Sequence, residues 1–156
     1  MRADQIISYL SEWTVNYLRS KDVFLNEIVD IIKNDSIHVK FKNEDKFFLL
    51  IPTLENIDTL IEVLRDKPTT VVVALNSKPN FQFLIENWKR IVDFKQFSII
   101  FLNPFSASEK KWVINPYTHN KICDPASLKA GLKSIFDTVD AITEAEFKSL
   151  ISSARK

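Results

Sequence analysis

Apolar residues near the start of the chain recur at the spacing of an α-helix. An amphipathic helix is predicted over residues 3–19, because its large apolar side chains stand three or four residues apart, at Ile6, Leu10, Trp13 and Tyr17. Asp22 can cap a second helix whose apolar positions continue to residue 33. The N-terminal helical region is therefore expected to cover residues 3–33.

The pattern then changes to that of β-strands. Between Ile37 and Lys42 apolar and polar side chains alternate, which predicts a half-exposed strand. Residues 47–52, FFLLIP, are continuously apolar, as in a strand that is buried on both faces. A short polar turn separates the two segments, so they are expected to pair as an antiparallel hairpin.

The rest of the chain alternates between helical and strand patterns. Helices are expected over 53–65 and 80–93, and strands over 69–76, 97–104 and 110–116. C-terminal helices are expected within 125–155, where Asp124 and Pro125 supply a cap and a first-turn proline, and TEAE at 143–146 spells a capping box. This order predicts a single α/β domain over residues 1–156. A central, partly parallel mixed sheet of about five strands lies between layers of helices, including those of 3–33 and 125–155.

Composition agrees with one folded domain and bears on its location and on the groups that it could bind. The 156 residues suit a single domain, and a hydrophobic content of 46% is enough to build a core. No apolar run approaches the roughly 18–20 residues of a membrane span, and the first residues carry charges where a signal peptide would be apolar. A single cysteine and two histidines offer no internal disulfide and no zinc cluster. We expect a cytoplasmic domain without membrane contact, metal or cofactor.

Net charge and glycine content narrow the kinds of ligand site. The net charge of +1 gives no overall attraction to nucleic acid, although residues 1–66 carry 8 basic and 12 acidic side chains and 67–156 carry 13 and 8. Gly131 is the only glycine, so the dinucleotide fingerprint and the Walker A loop are absent. Because a glycine inside a helix costs about 1 kcal/mol relative to alanine, Gly131 is expected to mark close packing against a neighbouring element.

Polar residues follow two of the predicted buried strands. Asn76, Ser77 and Lys78 come at the end of strand 69–76, and Asn103 at the end of strand 97–104. Ligands of open α/β sheets bind beyond the carboxyl ends of parallel strands, so these four residues are candidates for a ligand-binding rim. The competing interpretation is turn chemistry, since asparagine tolerates left-handed backbone where glycine is absent.

Basic residues line the outer predicted strands. His38, Lys40 and Lys42 share one face of the first strand, and Lys110 and Lys111 begin the last one. Side chains of this kind contact phosphates, which makes the five residues candidates for binding nucleic acid. The alternative is that lysines on an edge strand prevent its pairing with another chain.

Three further residues are candidates for catalysis: Asp45, Lys78 and His119. His119 lies in a predicted turn near Cys123 and Asp124, and a catalytic histidine needs a nucleophile or a carboxylate within hydrogen-bond reach. No oxyanion donor is evident beside them, and a lone cysteine commonly serves as a small buried apolar residue.

The order helix, strand, strand, helix, strand, helix, strand over residues 22–102 resembles the restriction-endonuclease-like, or PD-(D/E)XK, superfamily, whose core is α-β-β-β-α-β. In that family an Asp on the second strand and a Glu-x-Lys on the third hold a divalent metal beside the scissile phosphate. The resemblance gives Asp45 the first role and leaves only Asn76-x-Lys78 for the second. An amide is a poor replacement for a carboxylate on Mg²⁺, so the resemblance implies a core that has lost catalysis. A flavodoxin-like sheet fits the same order.

Three functions follow from these features. The first, which we expect, is a non-enzymatic binding module for a nucleic-acid or protein partner. The second is a metal-dependent phosphodiesterase or nuclease-like enzyme with an atypical site at the rim of Asn76, Lys78 and Asn103. The third is a structural subunit whose apolar helix face docks a partner or a second copy, which would give a homodimer.

Overall fold

A six-stranded β-sheet forms the centre of the molecule within residues 2–34, 36–67 and 69–154, which the computed structural model describes. Its strands are β1 (Ile28–Lys33), β2 (Ile37–Phe41), β3 (Asp45–Leu50), β4 (Thr70–Leu75), β5 (Phe97–Leu102) and β6 (Lys111–Ile114). The helices are α1 (Arg2–Leu25), α2 (Ile57–Asp66), α3 (Lys78–Glu86), α4 (Trp88–Ile91), α5 (Pro116–Ile122), α6 (Leu128–Phe136) and α7 (Glu144–Ala154). A short 3₁₀ turn, Pro125–Ser127, precedes α6.

The strands lie in the sheet in the same order as in the sequence. β1, β2 and β3 form an antiparallel meander, β3, β4 and β5 run parallel, and β6 returns antiparallel to β5. The predicted fold class, a partly parallel mixed sheet flanked by helices, is confirmed, as is the hairpin of β2 and β3. The sheet has one strand more than expected, because β1 falls in a segment that was predicted to be helical.

Helices cover the two faces of the sheet unequally. Side chains alternate along β4, so that Val72 and Ala74 face one apolar core while Val73 and Leu75 face the other. The first core is closed by α2, α3, α4 and α6, and the second by α1 and α7. Both parallel crossovers place their helices on the same face, as successive crossovers of one hand require. The second face is left with only two helices.

The predicted helix over 22–33 is wrong. α1 continues through residue 25 and ends where Asn26 takes a left-handed backbone conformation, with φ of 50°. The Asp22 carboxylate accepts hydrogen bonds from the backbone N–H groups of Glu27 (2.7 Å) and Ile28 (3.2 Å). Asp22 therefore does not begin a new helix but holds the turn that leads into β1, where the β-branched residues pair with β2.

The C-terminal part confirms some local predictions and corrects two. Thr143 and Glu146 form the expected capping box, each side chain accepting the other's backbone N–H at 3.1 Å. The turn predicted around His119 is instead α5, because the Asn115 side chain caps a new helix by accepting from Thr118 N–H. Gly131 is not closely packed either: a Cβ placed there would meet nothing within 4 Å. The last residue of the predicted 125–155 region lies outside the described residues.

Candidate functional site

The predicted rim at the carboxyl ends of β4 and β5 is covered by the chain itself. Asn76 is fully buried; its Nδ2 donates to the carbonyl oxygen of Val139 at 2.9 Å, and its Oδ1 accepts from Trp112 Nε1 at 2.7 Å. Asn103 Nδ2 donates to the carbonyl oxygen of Asp140 at 2.9 Å. These amides hold the connection between α6 and α7 across the strand ends. The ligand-binding role of Asn76 and Asn103 stays a prediction, and in this structure both side-chain amides are hydrogen-bonded within the chain.

The remaining rim residues divide into a capping residue and an exposed lysine. The Ser77 hydroxyl accepts from Asn80 N–H at 3.2 Å and caps α3. Asn80 is buried and donates to the carbonyl oxygens of Pro52 and Leu75. This role was not predicted, because no sequence pattern distinguishes Asn80 from other asparagines. Lys78 is exposed at the start of α3 and lines a cleft between α3 and α6.

The candidates for catalysis lie at different places in the fold. Asp45 is at the amino end of β3, where its Oδ2 lies 2.9 Å from His38 Nε2. Lys78 follows the carboxyl end of β4, so about 20 Å of parallel strand separates it from Asp45. His119 is on α5, which begins beyond the amino end of β5. The structure does not bring these three side chains together.

His119 packs edge-on against Trp88, with 5.8 Å between the ring centroids. Its Nε2 is buried and has no hydrogen-bond partner among the described residues, and this burial lowers the pKa of His119 below its usual value of 6.5. The Cys123 sulfur lies 3.6 Å from the carbonyl oxygen of Asp124. Within the described residues no nucleophile or carboxylate is hydrogen-bonded to His119 Nε2, and the catalytic role of His119 stays a prediction.

Two tyrosines have shifted pKa values. A hydrogen bond to Lys121, with further charge effects of Lys121 and Lys95, lowers the pKa of Tyr117. Burial, followed by the charge of Glu12, raises the pKa of Tyr9. Tyr117 therefore lies in a locally basic surface, whereas Tyr9 belongs to the packed end of α1.

The five candidates for binding nucleic acid form two separate groups. His38 and Lys40 lie on β2 with Lys42 just beyond it, whereas Lys110 and Lys111 lie at β6, four strands away, or about 19 Å at the usual strand spacing. Lys110 Nζ donates to the carbonyl oxygen of Ser106, and Lys111 Nζ lies 5.2 Å from the ring centroid of Tyr17 on α1.

The C-terminal end of α1 exposes large apolar side chains. Its buried positions recur every four residues at Ile6, Leu10, Thr14 and Leu18, and the next position in the series is Asp22. At 24 residues α1 is about 36 Å long, against about 20 Å for a six-residue strand, so its last turns have little sheet to cover. Four residues there form what we term the apolar patch: Val23 (69% exposed), Phe24 (95%), Leu25 (61%) and Val29 (65%) of β1.

A depression lies on each side of the apolar patch. The first, of about 420 Å³, runs between α1 and β1, and Val23 and Val29 line it. The second, of about 260 Å³, runs beneath α1 and is termed the α1 groove. Leu25 lines the α1 groove together with Phe41 and Val113 of the sheet. Leu25 is thus the patch residue that reaches the α1 groove, while Phe24 lines neither depression.

Charged side chains of both signs surround the apolar floor of the α1 groove. Lys21 and Lys46 line it, and Lys111 is close by, since Lys21 Nζ and Lys111 Nζ each lie 5.2 Å from the ring centroid of Tyr17. Over the described ranges none of these three lysines forms an ion pair. The carboxylate of Asp22 is already bonded to backbone N–H groups. Asp22 and Glu27 line the groove as well, so charges of both signs border its apolar floor.

One feature of the sequence indicates this surface. Val23, Phe24 and Leu25 are consecutive, and three consecutive helical residues spread over about 200°, so they cannot all face one core. Such a run at a helix end is typical of a contact surface or of an error in patterning.

No protein-family model, curated protein or solved structure matches this chain. In the part of the chain that the structure describes, no group of three His, Cys, Asp or Glu side chains could hold a metal ion. None of the helices within the described ranges has the length and apolar character needed to cross a membrane.

Proposed function

We propose that this α/β domain is a protein-interaction module whose binding site is the apolar patch together with the α1 groove. The observation that carries the proposal is the exposure of Phe24, at 95%, beside three other exposed apolar side chains. Contiguous apolar surface of this kind marks interaction sites, and aromatic residues commonly dominate the binding free energy once a partner covers them.

The partner that fits this surface is a short apolar segment of another protein. Its apolar side chains would enter the α1 groove against Leu25, Phe41 and Val113. The charges that border the groove are of both signs, so apolar contact supplies the attraction. A second copy of this chain is the competing occupant, and the experiment must distinguish homodimerisation from binding of another protein.

Simple addition of a strand to β1 is a weaker explanation. The register of β1 against β2 is interrupted between Ile28 and Asp30, and Asp30 Oδ1 accepts the N–H of Ile31 at 2.9 Å. An irregular edge whose N–H is already bonded resists pairing with another strand. Recognition is accordingly assigned to side chains of the patch and groove.

The experiment selects peptides from a random display library on the whole chain and measures their affinity by fluorescence polarisation. We expect the selected peptides to be rich in apolar and aromatic residues, and Phe24→Ser to weaken their binding at least about tenfold. Ile122→Ser is the matched control, since Ile122 is 79% exposed but lies on α5, outside the patch. Selection of no peptide, or equal losses in the two variants, would contradict the proposal.

Sedimentation of the same proteins distinguishes homodimerisation from binding of another protein. A wild-type dimer that becomes a monomer with Phe24→Ser, but not with Ile122→Ser, would assign the patch to a second copy instead. A wild-type monomer that binds the selected peptides supports the heterologous partner.

The resemblance to the restriction-endonuclease-like superfamily is retained as a proposal about the fold. It is supported by the order α1-β1-β2-β3-α2-β4, in which an antiparallel meander precedes a parallel crossover. With β1 counted, Asp45 opens the third strand, not the second, and β2 carries no acidic residue. The residues present therefore do not fit the family's metal site, and no hydrolytic step is derived from it.

A further inference from the structure

The two edges of the sheet are built differently. β1 is interrupted in its register against β2, whereas β6 pairs with β5 without interruption from Lys111 to Ile114. Within the described parts of the chain no strand pairs with β6 on its outer side. Proteins commonly protect such an edge with a bulge, a proline or a charge, but the residue on the open side of β6 is Val113, which is 47% exposed. β6 is therefore the edge that is suited to pairing with another strand.

The register of β6 shows which of its main-chain groups point outward. Asn103 N–H donates to the carbonyl oxygen of Lys110 at 2.8 Å. Along an antiparallel pair, residues that bond to the partner strand alternate with residues whose N–H and C=O groups point away from it. Counted from this bond, Trp112 and Ile114 bond to β5, whereas Lys111 and Val113 point away. The outer edge of β6 thus offers two donors and two acceptors.

The outward groups of β6 lie beside the α1 groove. The Val113 side chain lines the groove, whereas Trp112 and Ile114 belong to the core on the other face of the sheet. A strand added to β6 would lie about 4.8 Å from it, with side chains that alternate between the same two faces. Those on the Val113 side would stand at the end of the α1 groove, so main-chain pairing and apolar contact are available at one place.

The chain itself already uses the beginning of this edge. Just before β6, Glu109 forms a parallel β-bridge with Val139, in the connection between α6 and α7. The connection then leaves the edge, because Ile142 N–H donates to the backbone carbonyl oxygen of Asn76 at the end of β4. An extended segment is thus accepted on the outer side of this edge, and the positions of β6 itself are left for another one.

We propose that the partner segment binds in an extended conformation, as an additional strand along β6 that is hydrogen-bonded to Lys111 and Val113. One of its apolar side chains would lie beside Val113 at the end of the α1 groove. This inference rests on the proposed function, because the segment is the one that enters the groove, and it adds the conformation in which that segment is recognised. In such complexes the main-chain bonds supply affinity, and alternate side chains supply specificity.

The first test measures the selected peptides against the whole chain with Val113→Pro. Proline removes the outward N–H group, and it is tolerated on an edge strand where that group faces solvent. We expect the affinity to fall at least about tenfold, because a peptide carbonyl group loses its donor. Val113→Thr retains the N–H group and a branched side chain, so its loss should be clearly smaller. Urea denaturation shows whether Val113→Pro remains folded.

Two measurements on the unchanged chain decide the question even if Val113→Pro does not fold. In hydrogen exchange, the Val113 amide should exchange quickly in the free protein and slowly in the complex, whereas the Trp112 and Ile114 amides should be slow in both. In a series of peptides that are N-methylated at one position at a time, affinity should fall at every second position, since alternate N–H groups of an added strand point towards β6.

The outcomes distinguish this inference from the proposed function. Unchanged binding by a folded Val113→Pro, or N-methylation losses without a period of two, would overturn the inference and leave the apolar patch in place. Binding that is lost in Val113→Pro but kept in Phe24→Ser would support the edge and remove the patch. A wild-type dimer that Val113→Pro converts to a monomer would assign the edge to a second copy and overturn the inference, and selection of no peptide would overturn both.

Discussion

The two ends of α1 both carry large apolar side chains, yet they have very different surroundings. At the N-terminal end Ile6 and Leu10 are 0% exposed, and the Tyr9 ring lies 5.3 Å from that of Phe147 on α7. At the C-terminal end the apolar patch is largely exposed, and Phe24 has only 5% of its surface covered. The difference teaches that helical spacing decides which side of a helix is apolar, whereas the size of the facing layer decides how much of that side is buried.

The largest expected effect contrasts Leu10→Ala with Phe24→Ala. Leu10→Ala should lower the free energy of unfolding by about 2–5 kcal/mol, because it leaves a cavity in a closed core. Phe24→Ala should change it by less than about 0.5 kcal/mol, since the side chain contacts mainly water. Urea denaturation followed by circular dichroism measures both values.

The control is the slope of the free energy of unfolding against urea concentration. Equal slopes in the two variants show that both unfold from the same compact state. A loss above about 1 kcal/mol for Phe24→Ala would mean that the patch is covered within the chain or in a stable oligomer. That result would remove the difference between the ends of α1.

A smaller loss of stability is expected for Asn76→Ala. This residue acts on the N-terminal end of α1 indirectly, through the connection that leads into α7. The side-chain Nδ2 of Asn76 donates to the carbonyl oxygen of Val139, and the backbone carbonyl oxygen of Asn76 accepts from Ile142 N–H. Asn76 therefore fixes the connection into α7. Asn76→Ala should cost about 1–3 kcal/mol, because Trp112 Nε1 and the Val139 carbonyl group lose a buried partner.

Hydrogen exchange measures where that loss acts. The amides of α7 should exchange faster in Asn76→Ala, since the segment leading into α7 is released, while those of α2 should change less. Asn43→Ala is the control, because Asn43 is exposed between β2 and β3. An unchanged free energy of unfolding in Asn76→Ala would show that the connection is held by other contacts.

Much of the fold could be predicted from local patterns. The helix over 3–19, the two-sided apolar strands and the capping box at 143–146 follow from spacing and cap chemistry, and the structure confirms them. The segment 28–33 could not be assigned in this way, because its apolar residues fit a helical spacing as well as a strand. Pairing with β2 and the left-handed turn at Asn26 decide between them.

The candidate sites were less predictable for a physical reason. The position of Lys78 at a strand end follows from the sequence, but the burial of Asn76 depends on Val139, more than sixty residues away. The run Val23, Phe24 and Leu25 indicates that some of these side chains are exposed, but which of them depends on the sheet beneath α1. Local sequence can indicate which groups are polar or apolar, whereas distant segments decide which of them remain accessible.

The smallest change in stability is expected within one turn of α6, where a buried and an uncovered position are neighbours. Leu132 is fully buried, while its neighbour Gly131 faces open space, with no atom within 4 Å of a Cβ placed there. Gly131→Ala should therefore raise the free energy of unfolding by about 1 kcal/mol, because alanine loses less backbone entropy in a helix. That gain corresponds to about 2–4 °C in the melting temperature of a domain of this size, measured by calorimetry. Ala130→Gly, at an exposed neighbouring position, should lower stability by a similar amount, and a loss in both variants would show that space at Gly131 is needed after all.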